Sequence, residues 1–150
     1  MEITPLSHDE CLVVVAHVGF GRLGCSQDNQ PYVVPIFFAY EDKYLYVLST
    51  HGKKIEWMRA NPKVCVQVDE IELKGKSKWV SVLVNGEYQE LPEPQFEKER
   101  KHAHRLLQAR PGWWVNVFAE RRTSEEDDQH IVPLYFRIRI ESTSGLRAIP

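Results

Sequence analysis

The sequence predicts a mainly β, antiparallel domain with a few short helices. Two observations carry that expectation. Six or seven short apolar runs are rich in β-branched and aromatic residues or alternate with period two. Only three stretches read as helix, whereas a parallel α/β sheet would need a helix after nearly every strand. A barrel or a sandwich is the architecture such a pattern builds.

Taken in order, Ser7-His8-Asp9-Glu10 forms a capping box opening the apolar run Leu12, Val13 and Ala16, which predicts a first helix broken by Gly19 and Gly21. Phe20 to Ser26 reads as a strand ending in the turn-rich stretch Gln27 to Pro31. Tyr32 to Tyr40 and Tyr44 to Ser49, separated by Glu41-Asp42-Lys43, read as the two strands of a hairpin. Pro35 cannot donate to a ladder, so its strand should have an edge, a bulge, or a place where something other than a strand approaches its backbone. Gly52 to Ala60 predicts a short helix stopped by Asn61-Pro62. Val64 to Val68 and Trp79 to Glu90 are two further strands flanking the lysine-rich turn Lys74 to Lys78. Phe96, Ala103, Leu106 and Leu107 mark the apolar side of a helix whose other side is the solvated run Glu97 to Lys101. Trp113 to Phe118 follows Arg110-Pro111-Gly112, then the polar stretch Glu120 to Gln129, expected to be mobile. Phe136, Ile138 and Ile140 alternate with Arg137, Arg139 and Glu141 as a half-buried strand.

Nothing repeats and no linker divides the 150 residues, so residues 1–150 are expected to form one domain with one core. Nineteen basic against twenty-one acidic side chains give a formal charge of −2, which supplies no global field for nucleic acid or an anionic membrane. The longest apolar runs fall short of the ~20 residues of a membrane span. The first residues lack the basic start and apolar stretch of a secretion signal, so a cytoplasmic location is expected. Cys11, Cys25 and Cys65 have no metal-site spacing and read as buried free thiols.

Chemistry concentrates at Leu48-Ser49-Thr50-His51-Gly52-Lys53-Lys54-Ile55, a strand-to-helix junction. A helix start carries free N–H groups and partial positive charge, so two lysines there are unfavourable unless an anion compensates. Helix amides, the Ser49 or Thr50 hydroxyl and two ammonium groups together suit a phosphate. The alternative is that Lys53 and Lys54 are solvated surface residues with Glu56 moderating their repulsion. Other candidates are weaker. His102 and His104 sit two apart on a helix and point in different directions, so no shared metal is expected. Trp113-Trp114 suits packing better than a pocket wall, and His8, His17 and His130 form no constellation.

Tyr32-Val33-Val34-Pro35-Ile36-Phe37-Phe38-Ala39-Tyr40, Leu45 to Ser49, Gly52-Lys53-Lys54 and Asn61-Pro62-Lys63-Val64-Cys65 resemble, in order and spacing, the core pattern of the pyridoxamine 5'-phosphate oxidase-like flavin-binding split β-barrels. Trp79 to Gly86 resembles that family's long central strand, and Pro133 to Ile140 with Ser144-Gly145 its closing strand. The similarity is greatest to the nitroimidazole-resistance branch. It implies an antiparallel split barrel with FMN as cofactor: the phosphate on Lys53 and Lys54 assisted by Ser49 or Thr50, and the ring along Val34, Pro35, Ile36 and Phe37. Trp79 and Ser81 would reach the cofactor from the other subunit of a homodimer. Leu48 stands where branch members often carry a His, and the carboxyl-terminal segment offers Arg147 without the Arg-x-His pair of authentic oxidases, so no vitamin B6 oxidase activity is expected. The implied function is an FMN-dependent oxidoreductase passing electrons from a reduced nicotinamide to a nitroaromatic or quinone-like acceptor, with no catalytic side chain assigned. The alternative is a non-catalytic flavin- or haem-binding module, with His51 the nearest axial ligand, or a partner-binding dimer without ligand.

Overall fold

The computed structural model describes residues 1–110 and 133–150; the expectations for Trp113 to Phe118, for Glu120 to Gln129 and for His130 lie outside them. The chain runs β1 (Glu2–Pro5), α1 (His8–Val18), β2 (Phe20–Gln27), β3 (Gln30–Phe37), β4 (Ala39–Glu41), β5 (Tyr44–Thr50), α2 (Lys53–Ala60), β6 (Lys63–Glu72), β7 (Lys78–Glu90), α3 (Glu97–Gln108) and β8 (Pro133–Ile149). The strands make one antiparallel sheet ordered β3-β2-β6-β7-β8-β5-β4, with β1 beside β8.

The two ends of that order, β3 and β4, are consecutive in sequence and separated only by Phe38. The sheet therefore curls until its margins meet at a fully buried aromatic, without pairing to each other. Phe38 N–H donates to the Gly19 carbonyl at 3.0 Å. The result is an antiparallel barrel left open along one seam.

The run Tyr32 to Tyr40, expected as one strand in a hairpin with Tyr44 to Ser49, is thus divided. Only Ala39–Glu41 pairs with β5, while β3 pairs with β2 from Gln30↔Gln27 to Phe37↔Phe20. Asp28 and Asn29 take φ of 49° and 64°, the two left-handed residues that close a tight hairpin and so commit the first part of the run to β2. Pro35 then falls on a sheet margin, as its missing donor requires.

Ser7 caps α1 in a reciprocal capping box with Glu10, and Gly19 ends it at φ 64°. β6 and β8 outrun their expected lengths, and β1 has no counterpart among the expected strands. Between Asn85 and Gly86 the β7–β8 register shifts, leaving Glu141 as the extra residue of a bulge. The main core joins Leu23, Leu45, Val66, Val82 and Phe136 to Ile55 and Met58 of α2. A second cluster seats Ala103 and Leu107 of α3 on Tyr46, Leu91 and Tyr135. No helix among the described residues is long and apolar enough to cross a membrane.

Candidate functional site

α2 begins at Lys53 with Gly52 before it, and Gly52 has no side chain to cap the first-turn amides. The first helical bond runs from Glu56 N–H to the Gly52 carbonyl at 3.1 Å, so the amides before it are not used by the helix itself. Both lysines stand at this end: Lys53 is exposed and Lys54 half-buried. The Lys53 ammonium lies 4.6 Å from the ring centre of Tyr32 and 4.7 Å from that of Trp57, the two rings being 5.5 Å apart. Since Tyr32 belongs to β3 and Lys53 to the start of the helix after β5, this contact crosses the seam of the barrel. At the other end of α2, Asn61 Nδ2 donates to the Ser26 carbonyl at 3.1 Å, holding the helix to β2.

Among the described residues β3 is paired on one side only, so alternate backbone groups along it turn away from β2. On it Pro35 is exposed, Val34 and Phe37 are half-buried and Ile36 is buried. Phe37 packs its ring 4.7 Å from that of Phe20. An uncapped helix start bearing two ammonium groups, beside a one-sided strand, fits a phosphate next to a flat hydrogen-bonding ring.

Not every expected residue joins this corner. Ser49 is buried and its hydroxyl donates to the Thr50 carbonyl at 3.2 Å, whereas Thr50 is half-buried. Trp79 and Ser81 lie on β7, three strand spacings or about 14 Å across the sheet from β3. The Ser81 hydroxyl accepts from Gln67 Nε2 at 3.2 Å. Trp79 lines a separate cavity of about 310 Å³ with Val13, Val14, His17 and Ile149. One protomer therefore gathers the lysines and β3 but not Trp79 or Ser81.

The face of the sheet bearing Ser81 is mixed, with Arg22, Gln67, Asp69 and Asn85 beside four apolar side chains that no described residue covers fully. Val33, Ile71, Leu83 and Leu146 share it, with 62%, 57%, 38% and 47% of their surface exposed.

His51 leads to a network that spacing alone gave no sign of. Arg59 donates to both carboxylate oxygens of Glu90, at 2.7 and 3.0 Å, and to His51 Nε2 at 2.9 Å. The Tyr88 hydroxyl donates to the same carboxylate at 2.7 Å. Arg59 holds the Glu90 carboxyl below its ordinary range, and burial above all pushes the Tyr88 phenol up. Tyr32 and Trp57 were legible only as strand and helix residues, and nothing in their spacing signals a shared cation partner.

The other described histidines are occupied separately: His102 by Glu41 at 3.0 Å, His104 by the Tyr135 hydroxyl at 2.6 Å, His8 by Thr143 at 2.6 Å and His17 by Glu70 at 3.4 Å. Among the described residues no group of three or more His, Cys, Asp or Glu could hold a metal ion. Cys11 and Cys25 are buried, and burial pushes the Cys25 thiol up. Cys65 departs from expectation in being half-buried, because its side chain turns to the outer face beside Gly24.

Residues 7–147 match the family described as Pyridoxamine 5'-phosphate oxidase, and the chain belongs to that family. It is 46% identical over 115 residues to the uncharacterized protein RA0666 of Rhizobium meliloti, a match covering 76% of this chain and 75% of that one. A solved structure of an FAD-binding protein from Mesorhizobium loti is 43% identical, with a TM-score of 0.79, covering 100% of this chain and 99% of that one. A candidate 5-nitroimidazole antibiotic resistance protein of Bacteroides thetaiotaomicron shares the fold at 16% identity and a TM-score of 0.67, over 98% of this chain and 89% of that one. The architecture described above is the flavin-binding split barrel of this family.

Proposed function

We propose that the chain is an FMN-dependent oxidoreductase, with a reduced nicotinamide as electron donor and a small nitroaromatic or quinone-like acceptor. The observation that carries this reading is the corner where Lys53 and Lys54 open the uncapped α2 across the seam from β3. The flavin ring would supply the redox chemistry. The chain's own part is binding, orientation and exclusion of water. Lys53, Lys54 and the first-turn amides would hold the phosphate with Thr50 beside them; Val34 to Phe37 would present backbone groups to the ring.

Because Trp79 and Ser81 are three strands away from β3, their part in the same pocket requires a second copy, and the exposed Val33, Ile71, Leu83 and Leu146 on their face suit a homodimer. Such a dimer would act in the cytoplasm on small molecules.

A titration of the purified protein with FMN, read by flavin absorbance, tests the binding step. Lys53→Ala with Lys54→Ala should weaken it by about 2 kcal/mol or more, and an unchanged affinity overturns the phosphate assignment. Steady-state turnover above that of free FMN tests the activity; parity with free FMN leaves a non-catalytic flavin module instead.

A second reading, FAD in place of FMN, is favoured by the name of the 43% identical Mesorhizobium loti protein. Parallel titrations separate the two. Haem is less well supported, because the nitrogen His51 would offer an iron already accepts from Arg59.

A further inference from the structure

We infer that Arg59 is a positioning residue: by holding His51 against Glu90 it fixes the turn that presents Lys53 and Lys54, and protonation of His51 releases that turn. The inference rests on the flavin-site reading for its consequence, but its geometry stands independently. His51 is the last residue before the capless Gly52, so the turn gets no help from a helix cap. The only side-chain bond described for the His51 imidazole is the one from Arg59. Arg59 is itself held by the paired bonds to Glu90, and Glu90 by Tyr88. The chain of contacts thus ties the β5–α2 turn to β7, deep in the sheet order.

Chemistry makes this tie conditional. Arg59 is a donor only, so His51 Nε2 must be the acceptor and the imidazole must be neutral with its proton on Nδ1. A protonated imidazole has no acceptor and would face a guanidinium at hydrogen-bond distance. The charged and titratable groups around it are Arg59 of α2, Glu90 and Tyr88 of β7, and Lys53 and Lys54 of its own segment. Arg59 is the cation at hydrogen-bond distance, Lys53 being turned to Tyr32 and Trp57, and the Glu90 carboxylate, the one group that would attract a charged His51, is shared with Arg59 and Tyr88. The turn should therefore come loose on acidification, and the lysines lose their register with β3.

Two readouts on the full chain test this. Hydrogen exchange of the backbone amides of residues 51–56 reports the turn without flavin. FMN affinity from pH 8 to pH 5 reports the site. Arg59→Ala should speed exchange in that segment and raise the FMN Kd about tenfold at pH 7.5. His51→Gln keeps an acceptor that cannot be protonated. Its affinity should fall on acidification only as far as the flavin phosphate's own protonation dictates, while wild type falls further. Arg59→Lys, which cannot make the paired bonds, should lie between Ala and wild type. Unchanged exchange in Arg59→Ala, or superimposable pH profiles for wild type and His51→Gln, overturns the inference. If wild type binds no flavin at any pH yet Arg59→Ala loosens the turn, the positioning role holds and the flavin reading fails.

Discussion

The Lys53 ammonium stands 4.6 Å above the ring of Tyr32, joining the helix after β5 to the opposite margin of the sheet. Replacing Tyr32 by Leu keeps an apolar side chain but removes the ring's negative face. It should cost about 0.5–1 kcal/mol in chemical denaturation and weaken FMN binding measurably, because the lysine loses the surface that orients it. If the variant binds FMN as wild type does, the aromatic partner has no bearing on the site.

Glu90 gives a prediction with a defined pH window. Its carboxyl is held below the ordinary value of 4.5 chiefly by the bond from Arg59, so the stabilisation is present above that value and is lost as pH falls through the lower folded-state value. Glu90→Gln should be less stable than wild type by about 1–2 kcal/mol at pH 7. The gap between the two should narrow below pH 4.5. Urea melts at pH 7 and near pH 3 measure it, and a gap that does not change with pH would show that the pair contributes nothing through charge.

Gly86 sits where the β7–β8 ladder slips by one residue. A Cβ there would lie 2.4 Å from the Arg139 carbonyl oxygen and 2.7 Å from Ile138 Cγ2, and the first of these is backbone that cannot step aside. Gly86→Ala should lower stability by about 2–3 kcal/mol, read as a shift in the thermal midpoint.

The outer face carries the proposed self-association. Leu83 is 38% exposed in one protomer and lies between the paired strands β6 and β8. Leu83→Glu should give a smaller species by sedimentation than wild type while its far-ultraviolet circular dichroism is unchanged. A wild type that already sediments as one chain would remove the dimer, and with it the role proposed for Trp79 and Ser81.

Much of this architecture could be read from the residues, and the exceptions have physical causes. The capping box of Ser7 and Glu10, the Asn61-Pro62 stop and the alternation through Phe136 to Ile140 are local signals, and each marks the element it announces. The division at Phe38 is not local. Tyr32 to Tyr40 reads as one strand by composition, and only the partners of its two halves, β2 and β5, separate them. The lysine pair was legible because like charges at a helix start are unfavourable without an anion. Arg59 and Glu90, 31 residues apart, were not, since nothing in their spacing indicates that β7 passes beside α2.

Phe38 is the single residue of chain between the sheet's first and last strands, and it is fully buried, so peptide length there limits how far the two margins can part. One residue inserted there would let the two margins drift apart and would displace the buried Phe38 from the core. The link that limits the slot is thus the next residue after Val34 to Phe37, the segment proposed to face the ring.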